Sequence, residues 1–205
     1  MKLKFNFFLV SLALMSVCVF AEPTPEMGEL SSFTDIRNGK KYWATTIGDK
    51  KWMAENLNYQ TKTGNSWCYN NDDANCSKYG RMYDFETAKK ACPINWHLPS
   101  RTEWDNLGKA VGENAGKKLK ASSSWISIDG KDDNGTDNYG FSALPGGNRI
   151  TGGMFIYAGI YGGWWTSTEI SGALVYNWYM QYGNDGLNEG SGDKNFGLSV
   201  RCVAD

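Results

Sequence analysis

Four cysteines constrain this 205-residue chain more than any other feature, once its first residues are read as a leader. Met1-Lys2-Leu3-Lys4 places two lysines ahead of an apolar run from Phe5 to Phe20, which closes on Val19-Phe20-Ala21. That pattern predicts a secretory signal peptide over 1–21, cleaved after Ala21. Cys18 leaves with it, and Val17 stands where a lipid-attachment motif needs a small residue, so a lipid anchor is not expected. Cys68, Cys76, Cys92 and Cys202 remain, and an even count in an exported chain implies two disulfides. Three pairings exist. Cys68 and Cys76 flank the turn-rich run Tyr69 to Asn75, which favours Cys68–Cys76 and leaves Cys92–Cys202. Closing the longer loop removes unfolded-state entropy worth roughly 4–5 kcal/mol. Metal ligation by these cysteines is disfavoured, because no Cys-x-x-Cys occurs and His97 is the only histidine. The expected location is secreted, periplasmic or at the cell surface.

Losing Lys2 and Lys4 leaves 19 basic against 22 acidic residues, a net charge of about −3. No basic footprint for nucleic acid results, and no later apolar run is long enough to span a membrane. Residues 22–33 are polar and carry proline, which reads as a linker ahead of one domain over 34–205.

From Thr34 the pattern is β. Asn38-Gly39 and Gly48-Asp49 punctuate a three-strand meander of Thr34–Arg37, Lys40–Ile47 and Lys50–Glu55. Asp84 caps a helix through Ala91, stopped by Pro93. Ser100-Arg101-Thr102-Glu103 is a capping box, after which Trp104, Leu107 and Val111 repeat at helical spacing up to Gly112. Residues 122–163 read as one long ordered loop, rich in Gly, Asn, Asp and Ser. Val175 to Tyr182 alternates, with Tyr176, Trp178, Met180 and Tyr182 on the expected core face. A last strand, Phe196 to Val203, turns Phe196, Leu198, Val200 and Cys202 inward and Gly197, Ser199 and Arg201 outward. The fold class is α+β.

Several of these residues form an ordered set. It contains Cys68-Tyr69-Asn70-Asn71, Tyr79-Gly80-Arg81-Met82-Tyr83, Ala91-Cys92-Pro93 and Trp96-His97-Leu98-Pro99-Ser100 with Glu103-Trp104. It continues through the run from Gly135 to Gly147, Trp165-Thr166-Ser167-Thr168 and Ser199-Val200-Arg201-Cys202. The set resembles the Fibrobacter succinogenes major paralogous domain over about residues 34–203. The resemblance implies an exported bacterial protein from a large paralogous group and supplies no function. At one remove, Leu98-Pro99-Ser100, Glu103-Trp104 and the closing Arg201-Cys202 are similar to the C-type lectin and formylglycine-generating-enzyme superfold. That implies a C-type lectin-like fold with paired terminal strands, two main helices and a long Gly/Asn-rich loop region that holds ligands.

Both chemistries of that superfold lack their residues here, since one needs a free cysteine pair and the other a histidine cluster. No enzyme is expected, and His97 ahead of a helix cap reads as an ordinary packed side chain. No cofactor is expected either, with calcium as the one candidate. Asp129, Asp132, Asp133, Asn134 and Asp137 crowd nine residues with the hard oxygens that Ca²⁺ takes. An EF-hand register on Gly135 fails, and the lectin triplet Glu/Gln-Pro-Asn/Asp is absent.

Nine tryptophans and eleven tyrosines supply the remaining signal. Tyr157, Tyr161 and Trp164 cluster beside Gly-rich turns, while Trp165 and Trp178 read as core. Flat rings beside amides suit sugars, one by stacking and the other by hydrogen bonds to hydroxyls. The expected ligand site therefore joins the loop 129–165, through Tyr157, Tyr161 and Trp164, to the segment 184–193, through Asn184 and Asp185. The expected function is a non-enzymatic module binding glycan or protein at the cell exterior. Two alternatives stand beside it: an adhesive envelope protein that self-associates, and a hydrolase using Asp185 and Glu189 as paired carboxylates.

Overall fold

The computed structural model describes residues 28–205 apart from Asp129 and Lys131. The leader, the first half of the linker and Asp129 of the acidic loop lie outside the described residues. Strands β1 (Ser31–Thr34), β2 (Lys41–Ile47) and β3 (Lys50–Met53) form the expected antiparallel meander. Its first strand starts inside the segment read as linker. The reason is Phe33, which stacks on Tyr42 and Trp96 at centroid distances of 5.7 and 4.3 Å. Residues 35–40 are turn instead of strand, because the Asp35 carboxylate accepts from Arg37 N and Nε while Gly39 N donates to Asp35 O.

The helical half follows, with β4 (Ser66–Trp67), α1 (Asp73–Tyr79), β5 (Met82–Tyr83), α2 (Phe85–Ala91), β6 (Trp96–His97), α3 (Arg101–Val111) and α4 (Ala115–Leu119). Asp84 accepts from Thr87 N at the start of α2, and Ser100 with Glu103 closes both bonds of the capping box at α3. α1 fills the Cys68–Cys76 loop, where only turns were expected; Asp72 caps it by accepting from Ala74 N. The expected two helices are thus four among the described residues.

The remaining strands are β7 (Asn148–Arg149), β8 (Phe155–Ile156), β9 (Tyr161–Glu169), β10 (Leu174–Gln181), β11 (Asn188–Asp193), β12 (Leu198–Ser199) and β13 (Val203–Ala204). One sheet has the order β1-β2-β3-β13-β6 and the second β11-β10-β9-β12-β5-β4, with β7-β8 as a separate hairpin. β13 returns from the far end of the chain to pair with β3 through Val203 and Trp52. Both disulfides, Cys68–Cys76 and Cys92–Cys202, form as expected. Among the described residues, no helix is long and apolar enough to cross a membrane.

β9 begins at Tyr161, inside the expected long loop. Gly162 is there for close approach, since a Cβ on it would lie 2.6 Å from Leu144 O, and it bridges directly to Gly147. The next residues explain the architecture, because strand alternation sends Trp164 and Trp165 to opposite faces of the sheet and each face is a core. Trp164 packs with Trp52, Trp104, Phe141 and Met180. Trp165 packs with Tyr42, Phe85, Val175 and Val200. β10 therefore has no single core face. Alternation sends Val175 to the Trp165 side and Trp178 with Met180 to the Trp164 side, and both sides are core. Tyr176 and Tyr182, expected inside, are half-buried, whereas Asn177 is buried.

Ser199 and Arg201, expected outside, are buried too. The Arg201 guanidinium donates to Asn56 Oδ1, Met53 O, Phe141 O and Ser142 O. It thereby ties the segment after β3 to the loop at 137–145, whose other end is held by Ser142 donating to Asp137.

Candidate functional site

The acidic loop is anchored to the protein through its carboxylates. Lys120 is fully buried, and its Nζ donates to Asp133 Oδ2 at 2.7 Å and to the carbonyls of Gln181 and Asn184, 4.4 Å from the Trp125 ring centroid. Asp133 Oδ1 accepts from Gly183 N, Asp132 Oδ1 from Asn134, and Asp137 from Ser142. Asp132, Asp133 and Asp137 thus face three different partners. Among the described residues, no group of three His, Cys, Asp or Glu side chains could hold a metal ion.

Two of the expected ligand residues lie apart from the rest. Asn184 Oδ1 accepts from Gly186 N at 2.7 Å and closes its own turn, and Asp185 is exposed beside α4, its carbonyl accepting from Lys117 N. Part of that expected loop is strand, namely β11. Glu189, the expected partner of Asp185 in a hydrolytic pair, is forked instead by Arg101 Nε and Nη2 at 2.6 and 3.2 Å. Trp164 is fully buried and its Nε1 donates to Asn56 Oδ1, so its ring cannot stack on a ligand. The core on its face of β9 took the side chain that composition alone placed in a loop.

Tyr157 and Tyr161 do come together. They line a cleft of about 520 Å³ with Asn148, Ile160, Gln181 and Tyr182. Tyr157 is 56% exposed and sits at φ +67°, a left-handed conformation rare for a bulky residue. Its carbonyl accepts from Ile160 N and Tyr161 N, which fixes the turn that presents the ring. Tyr161 stacks on Tyr179 at 5.5 Å and tilts against Tyr157 at 6.4 Å. Burial holds the Tyr161 phenol well above its ordinary value, so it stays neutral and able to donate. Tyr182 closes the rim, its hydroxyl donating to Ile128 O.

Asn148 was not anticipated, although it directly follows the Gly146-Gly147 pair. It is only 9% exposed, yet its Oδ1 has no hydrogen-bond partner. Ile160, Gln181 and Tyr182 carry no such signal either; Tyr182 follows the end of β10, past the face whose Trp178 and Met180 are core. Among the described residues, no charged side chain lines the cleft.

A larger cavity of about 580 Å³ opens beside Trp43, Asn56, Tyr79 and Ser142. Its buried polar floor is satisfied, since Asn56 Oδ1 accepts from Trp164 and Arg201 while Asn56 Nδ2 donates to Tyr79 O. Of these two, the smaller cleft keeps an unpaired buried atom in its lining; the other unpaired buried atoms among the described residues, on Thr61, Trp104, Asn177 and Trp178, lie outside both.

His97 lies between Asp205 Oδ1 at 2.6 Å and Glu103 Oε1 at 2.9 Å. Burial opposes its charge, but the two carboxylates outweigh it and hold the imidazole above its ordinary value. The same Glu103 carboxylate caps α3, which gives the cluster a structural task.

No curated protein and no solved structure matches the chain. The family model of the Fibrobacter succinogenes major domain matches residues 45–204, a span that takes in both disulfides, the aromatic cleft and both cores apart from Tyr42, and the chain belongs to that family.

Proposed function

We propose that this chain is a non-enzymatic binding module of the cell exterior that holds a neutral sugar residue of a glycan in the cleft of Asn148, Tyr157, Ile160, Tyr161, Gln181 and Tyr182. The observation that carries the reading is the Asn148 amide. A buried acceptor without a partner costs about 1–3 kcal/mol, and a hydroxyl donor in the cleft would remove that cost. Tyr157 offers an exposed ring for stacking, Gln181 a second amide, and the uncharged lining formed by the described residues favours a neutral ligand. The export reading draws support from the two disulfides. We read the architecture as C-type lectin-like, because β13 pairs back to β3 and three of the six cleft residues, Asn148, Tyr157 and Ile160, sit on the segment between α4 and β9.

The test is a glycan array followed by calorimetry on the oxidised protein from residue 22, beside Tyr157→Ala and Asn148→Leu. Binding to neutral glycans is expected. Tyr157→Ala should weaken it about three- to tenfold by loss of a stacking contact, and Asn148→Leu should weaken it at least as much. Glycan binding that neither substitution changes would remove the cleft from the mechanism.

A further inference from the structure

Asn148 and Arg149 are the two residues of β7, and alternation sends their side chains to opposite sides of the hairpin. Asn148 lines the aromatic cleft, whereas Arg149 lines a separate depression of about 250 Å³ with Asn65, Trp67, Asp84, Thr151 and the glycine pair 152–153. Four of the chain's five arginines donate hydrogen bonds from the guanidinium, Arg37 to Asp35, Arg81 to Ser66, Arg101 to Glu189 and Arg201 to Asn56. Among the described residues, nothing accepts from the Arg149 guanidinium.

Its position is nevertheless well defined. The guanidinium lies 4.2 Å above the Trp67 ring centroid and 5.8 Å from that of Phe155, and the Arg149 backbone exchanges both hydrogen bonds with Gly197 at 2.9 and 2.7 Å. Gly153, at φ +94°, passes so close that a Cβ there would lie 2.8 Å from Nη2. A planar fork held over an aromatic ring, with its donors unused, is the arrangement that grips a carboxylate or sulfate through two parallel bonds. Asp84 is the one carboxylate in the lining, and both its oxygens are engaged, Oδ1 by Thr87 N and Oδ2 by Asn65 Nδ2. Its charge selects for a ligand group with a single negative charge.

We infer that the Arg149 depression is a second binding site, separate from the aromatic cleft, for a singly charged anionic group such as the carboxylate of a uronic acid or the sulfate ester of a sugar. The inference does not depend on what the aromatic cleft binds.

The test is a nuclear magnetic resonance titration of the oxidised protein with galacturonate, galactose 6-sulfate and galactose, following the Gly152 and Gly153 amides. Arg149→Gln removes the charge, while Arg149→Lys keeps the charge and an aliphatic stem but loses the fork, so it serves even where the first variant folds poorly. Saturable shifts with either anion and none with galactose are expected, and the stronger of the two names the group. Both substitutions should weaken that binding about tenfold or more, and Tyr157→Ala should leave it unchanged. The inference is overturned if neither anion saturates, if galactose produces the same shifts, or if Arg149→Lys binds as tightly as the original.

Discussion

Replacing Asn56 by leucine should cost more than any other single change of similar volume in this protein. One side-chain amide there meets four needs, because Oδ1 accepts from Trp164 Nε1 at 2.8 Å and from Arg201 Nε and Nη2 at 3.1 and 2.8 Å, and Nδ2 donates to Tyr79 O at 2.8 Å. Burial pushes the Arg201 guanidinium down to about 9, against the weaker opposing pull of the Asp137 and Glu55 charges, so it still carries its charge at neutral pH, and every acceptor it meets among the described residues is neutral. Leucine fills the space and supplies no acceptor. The indole N–H is orphaned at about 1–3 kcal/mol, and a buried charge loses its only side-chain partner. Breaking a buried charged interaction from one side costs about 3–5 kcal/mol, and we expect Asn56→Leu to fall near 4 kcal/mol. Asn56→Asp keeps the acceptor and adds a countercharge but loses the donor to Tyr79 O, so it should lie between the two. Urea denaturation of the oxidised proteins reads both effects, since at about 2 kcal/mol per molar a 4 kcal/mol loss moves the midpoint by about 2 M. A midpoint for Asn56→Leu within about 0.5 M of the original would refute the account of Arg201 as a charge held by neutral acceptors.

Two further outcomes follow from the periphery. The raised folded value of His97 means that its contribution is fully present below the ordinary imidazole range and is lost as pH rises through the folded value. Urea midpoints should therefore fall between about pH 6 and 8 by an amount equivalent to about 1 kcal/mol or less, given the exposure of the group, and His97→Gln should flatten that slope; parallel profiles would rule His97 out as its source. The two disulfides close loops with sequence separations of 110 and 8 residues. The chain-entropy relation then gives about 5 kcal/mol for Cys92–Cys202 and about 2.5 kcal/mol for Cys68–Cys76. Paired alanine substitutions with equal losses in thermal and urea unfolding would show that loop length does not set their contributions.

The legible parts of the fold were those decided by neighbours in sequence. Asp84 and the Ser100/Glu103 box mark their helices because a cap is a bond across two or three residues. The cysteine pairing was readable because a short turn-rich segment leaves the other two together. Features decided at long range were not readable. Trp164 and Trp165 are adjacent and chemically identical, and only the presence of a core on each face of β9 buries both. Gly162-Gly163 looked like loop punctuation, yet the pair sits inside a strand because Leu144 passes against it. α1 was hidden by a composition of Asn and Asp that suits turns and helix caps equally.

The candidate sites belong to that long-range class, and the reason is physical. This chain satisfies its buried charges with care: Arg201 has four acceptors, Lys120 has three, and Asp133 is held from two sides. Among the described residues five buried side-chain atoms stay unpaired, on Thr61, Trp104, Asn148, Asn177 and Trp178, and of these only Asn148 Oδ1 lines the aromatic cleft, on the same strand as the unpaired Arg149 guanidinium. Both are left without partners on one two-residue strand, and the hairpin that carries them is braced by Gly147 bridging to Gly162 and Arg149 to Gly197. Bracing the backbone while leaving the side chains unpaired adds nothing to the stability of the free protein. It lowers the cost of ordering those groups when something else supplies the missing partners, which is why the β7-β8 hairpin, and neither the larger cavity nor the acidic loop, is where binding should be sought.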